Sequence, residues 1–137
     1  GVGLIIHEMM HKIIGLENFI REFIRTNGDI IDIPEVELVS ILEEKDPKGF
    51  GREIAVFEEI IVYLFSDVYL ADLSIDEKIS VYEKDPGLKE FYRIWCGVKL
   101  LKKRFDQYSS YSNDIDLVVD LLELYCEKIY YRNFDRG

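Results

Sequence analysis

The two histidines of this 137-residue chain stand four residues apart, in His7-Glu8-Met9-Met10-His11. On an α-helix, side chains four apart share one face, so both imidazoles can reach a single ion. That is the geometry a tetrahedral zinc site asks of its first two ligands. Glu8 lies about 100° further round the helix, where it would reach a metal-bound water rather than the metal. Glu8 and His11 also make a Glu-x-x-His unit of the kind di-iron carboxylate bundles use. Such a site needs a second pair on another helix. With no further histidine in the chain, that pair would have to come from a symmetric copy.

The stretch Leu4-Ile5-Ile6-His7-Glu8-Met9-Met10-His11 resembles the active-site helix of the zincin (HExxH) metallopeptidases. The resemblance implies that His7 and His11 are Zn2+ ligands and that Glu8 is the general base acting on the zinc-bound water. Lys12 departs from the family pattern, which is usually uncharged there. The metzincin branch fits badly: Gly15 is one place late, there is no third histidine, and Glu17 stands at the ligand position. The gluzincin branch takes its third ligand from a glutamate on a later helix.

The segment Glu53 to Phe65 offers such glutamates. It is apolar nearly all round, the mark of a buried helix, and Glu58 and Glu59 sit in its middle. They point about 100° apart, so at least one is expected to face inward. A buried carboxylate costs several kcal/mol unless it is paired or binds a metal. The formal net charge of −10 leaves few cations to pair with it. Zinc held by His7, His11 and one of these glutamates would offset that cost. Glu59 comes first, because Glu59-x-x-Val62 resembles the gluzincin glutamate helix; Glu58 follows, and Glu53 is third. The alternative is a surface position, with the acids paired to Arg52 or a distant lysine.

The elements that must carry these residues read as helices throughout. Leu4, Ile5, Met9, Ile13, Leu16, Ile20, Phe23 and Ile24 recur at helical spacing, and Gly28 suits a left-handed cap. Pro34 is expected to open a second helix, which runs to about Lys45. A third is expected from Arg52 to about Val68. Ser74 with Glu77 makes a capping box for a fourth, and Asp85-Pro86-Gly87 breaks the chain before a fifth, about Leu88 to Gln107. Ser112, Asn113 or Asp114 caps a sixth. The expected fold is all-α, about six helices packed as one domain over residues 1–137, without the β-sheet that zincins place upstream of their active-site helix. Only six residues precede His7. Three readings therefore stay open: a piece of a larger protein, a chain that borrows the missing part from a partner chain or homo-oligomer, or no peptidase at all.

Composition narrows the partners. Asp and Glu total 27 against 17 Lys and Arg, so nucleic acid and anionic membranes would be repelled. The basic cluster Lys99 to Arg104 shares its helix with Phe91, Ile94, Trp95, Val98, Leu101 and Phe105, whose spacing reads as core. Its cations then form a solvated face. No apolar run approaches a membrane span, and Cys96 and Cys126 are too few for a disulfide framework, which suggests buried thiols in the cytoplasm. Two functions are expected from different classes. One is a zinc-dependent peptidase-like domain that acts on a peptide or protein. The other is a non-enzymatic acidic helical bundle that serves as an interaction or regulatory module.

Overall fold

In a computed structural model, the described residues are 18, 22, 25, 34–45, 51–66, 73–107 and 114–135. Among them the chain is all-α, as expected: five α-helices and one short 3-10 helix, with no strand beyond a single Lys45–Arg52 bridge. We number the helices α1 (Glu35–Glu43), α2 (Glu53–Ser66), α3 (Ile75–Glu83), α4 (Lys89–Gln107) and α5 (Asp114–Asp135). Asn18, Glu22 and Arg25 are helical, and Glu22 pairs with Arg25 one turn on.

Helix starts follow local chemistry. Pro34 proves to be the N-cap of α1 rather than its first residue; its carbonyl accepts from the Leu38 amide at 2.9 Å. Ser74 caps α3 by accepting from the Glu77 amide at 3.2 Å, and its hydroxyl donates to the Glu77 carboxylate at 3.1 Å. Asp85 accepts from the Gly87 amide at 2.9 Å, which winds Pro86–Leu88 into a 3-10 turn and delays α4 to Lys89. Proline supplies the fixed φ that such a turn needs. Between α1 and α2, the Glu53 amide reaches back to the Glu44 carbonyl at 3.0 Å.

The core is one cluster fed by α1, α2, α4 and α5. Phe57, Ile60 and Ile61 of α2, Leu101 of α4 and Leu121 of α5 are wholly buried. The apolar character of α2 is thus explained by neighbours on several sides. Gly97 sits where α4 crosses α2, and a Cβ there would lie 2.9 Å from Ile60 Cγ1 and closer still to its terminal methyl. The two helices approach as nearly as they do because that side chain is missing. In contrast, α3 has no buried residue and leans on α4 through half-buried Ile75, Ile79 and Tyr82.

Candidate functional site

His7, Glu8 and His11 lie outside the described residues. Glu58 and Glu59 are both half-buried, and each engages other groups of the chain. Among the described residues, no three histidine, cysteine or acidic side chains converge in a way that could hold a metal ion.

The one wholly buried charged side chain described is instead Glu53, the third-ranked glutamate, at 1% exposure. Its two oxygens are taken by different helices. Oε1 accepts from Nη2 of Arg93 on α4, and Oε2 accepts from the Tyr125 hydroxyl on α5 at 2.6 Å. Arg93 is itself nearly covered, at 14% side-chain exposure. The desolvation of Glu53 is thus met by an internal cation and a neutral donor, the two conditions under which a buried charge is tolerated. The carboxylate also lies in the first turn of α2, where the helix dipole favours an anion. Burial, then the Glu53 charge, pushes the Tyr125 hydroxyl far above the usual tyrosine range, so it remains a donor. The adjacent Cys126 thiol is raised by the same two causes.

A surface groove of about 350 Å³ opens where the α3–α4 hairpin turns. Its walls are Tyr82, Glu83, Asp85, Pro86, Lys89 and Tyr92. The Tyr82 ring stacks on Phe91, with centroids 5.5 Å apart and planes 29° from parallel. The Tyr92 hydroxyl is raised above its ordinary value by its hydrogen bond with Cys96, with Glu83 adding to the effect. Glu83 is exposed and ends α3, at the negative pole of that helix.

Three of the four cations in the basic stretch of α4 are paired with acids. Lys99 pairs with Asp76 at 2.7 Å, Lys102 with Asp106 at 3.0 Å, and Arg104 with both oxygens of Asp120 at 3.1 Å. Ile94, Trp95, Val98 and Leu101 are core, as their spacing indicates, whereas Phe91 is 39% exposed beside the groove. Both cysteines are free thiols, Cys126 buried and Cys96 half-buried. No described helix is long and apolar enough to cross a membrane.

Sequence reasoning missed both arrangements. Glu53 opens its helix, a position normally exposed, and nothing in the spacing ties it to Arg93 or Tyr125. The groove depends on the Asp85-Pro86-Gly87 turn, which folds Tyr82 and Tyr92 toward each other. The aromatic residues on either side of that turn were the available signal. No family model, curated protein or solved structure matches the chain.

Proposed function

We propose that the chain is a non-enzymatic helical interaction module that binds a peptide segment of a partner protein. The observation that carries this reading is the groove lined by the Tyr82, Pro86 and Tyr92 rings with Glu83, Asp85 and Lys89, at the exposed end of a hairpin. Rings with an apolar body and a polar tip are the side chains that peptide-binding surfaces favour. Val81 and Phe91 add exposed apolar surface on the same hairpin, at 51% and 39% exposure. The most deeply buried acid of α2 is balanced within the protein, which removes one physical reason for a metal there.

The test is selection of a random peptide library displayed on phage against the folded chain. This reading expects a convergent sequence motif whose synthetic peptide competes for binding and whose affinity drops in Tyr82→Ala. Repeated rounds that yield no motif would overturn it.

A second reading rests on the spacing of His7-Glu8-Met9-Met10-His11 and its resemblance to zincins. There, His7, His11 and Glu59 or Glu58 would hold Zn2+, which supplies an activated water, and Glu8 would carry the proton during peptide hydrolysis. Retained zinc that depends on both histidines favours this reading over the first.

A further inference from the structure

We infer that the groove at the α3–α4 turn receives a cationic side chain, an arginine by preference, presented by the partner polypeptide. The inference rests on the interaction-module reading and names what that module recognises. Two features of the groove favour a cation. Glu83 and Asp85 line it, and Glu83 ends α3, whose C-cap residue Lys84 is not among the groove's lining. The negative pole of a helix and an exposed carboxylate attract the same ligand, a cation. The formal charge of −10 adds a long-range field of the same sign.

The walls choose among cations. Tyr82 and Tyr92 both line the groove, one face of Tyr82 lying against Phe91, and a guanidinium stacks on aromatic rings as well as pairing with a carboxylate. An ammonium is a compact, strongly hydrated charge that stacks less well. At about 350 Å³, the groove is at the small end of ligand pockets and suits one side chain rather than a folded surface. Asp85 keeps one oxygen on the Gly87 amide, so Glu83 is the principal acceptor. Lys89 on the groove wall works against any incoming cation, and that opposition is itself testable.

The experiment is an amide chemical-shift titration of the full chain with a capped glycine–arginine–glycine tripeptide at millimolar concentrations. Parallel titrations replace arginine with lysine and with citrulline, its neutral isostere. Saturable shifts at residues 82–92 with the arginine peptide, weaker with lysine and lost with citrulline, are expected. Glu83→Gln should weaken binding about two- to fivefold, the range of an exposed charge pair. Tyr92→Leu should cost a similar factor of about two to five through the lost ring face. Lys89→Ala should tighten binding by about twofold. Absent shifts, an equal response to citrulline or lysine, or binding unchanged in both Glu83→Gln and Tyr92→Leu would overturn the proposal. A phage-selected motif without arginine would remove this inference and leave the module reading intact.

Discussion

The Tyr125 hydroxyl donates to Glu53 Oε2 at 2.6 Å, joining the first turn of α2 to the middle of α5 across 72 residues of chain. With Arg93 on the other oxygen, three helices meet at one carboxylate. Removing a donor leaves the acid short of a partner in a dry place, which costs more than the bond itself was worth. Tyr125→Phe should therefore lower unfolding free energy by about 1–3 kcal/mol, read from urea denaturation.

Taking out the acid alone should cost more, because it strands a covered guanidinium. Glu53→Ala is expected to lose about 3–5 kcal/mol, the usual result of breaking a buried pair from one side. The double change Glu53→Leu with Arg93→Met should recover much of that loss, since packed apolar groups replace both charges. A double variant no more stable than Glu53→Ala would contradict this assignment.

Gly97 gives a test in which helix propensity and packing oppose each other. Alanine is favoured over glycine by about 1 kcal/mol in a helix interior. Here the new Cβ would collide with Ile60, which is fully buried and branched at its own Cβ. Gly97→Ala should therefore destabilise the fold, by about 1–3 kcal/mol as overpacked cores do. A gain in melting temperature would show that α2 and α4 can part without penalty.

Alkaline pH should weaken the fold in a defined window. Burial raises the Cys126 thiol above its ordinary 9.0 and the Tyr125 hydroxyl above its ordinary 10.0. Both groups are neutral in folded and unfolded chains below those values, so the stability is intact there. Above them the unfolded chain loses protons that the folded chain keeps, which draws the equilibrium toward unfolding. Stability should begin to fall near pH 9 and steepen beyond pH 10. Each group contributes up to about 1.4 kcal/mol per pH unit. In Cys126→Ala the first part of the fall should disappear; an unchanged profile would contradict it.

How much of this was legible in the sequence follows from range. The Ser74–Glu77 box and the Asp85-Pro86-Gly87 break act within four residues, so both were readable. The buried stripe Ile94, Trp95, Val98 and Leu101 was readable from period alone, since one face of a helix must pack. Phe91 continues that stripe yet is exposed, because it lies in the first turn of α4 and stacks with Tyr82 of the peripheral α3. The pairing of Glu53 with Arg93 and Tyr125 spans 40 and 72 residues, and no local pattern encodes such a meeting. The reasoning that an apolar helix with few cationic partners needs help for its acids was physically sound. It ranked Glu59 and Glu58, both half-buried, ahead of Glu53, and Glu53 at the helix start is the one that is wholly buried. The His7–His11 pair, the strongest motif, lies outside the described residues.

The measurement that bears most directly on the proposed function is the zinc content of the purified, tag-free chain after incubation with Zn2+ and dialysis, beside His7→Ala and His11→Ala. An interaction module retains no stoichiometric zinc, shows no difference between the three proteins, and hydrolyses no peptide. About one zinc per chain, lost in both histidine variants and accompanied by hydrolysis that Glu8→Gln abolishes, would contradict it and establish the metallopeptidase reading.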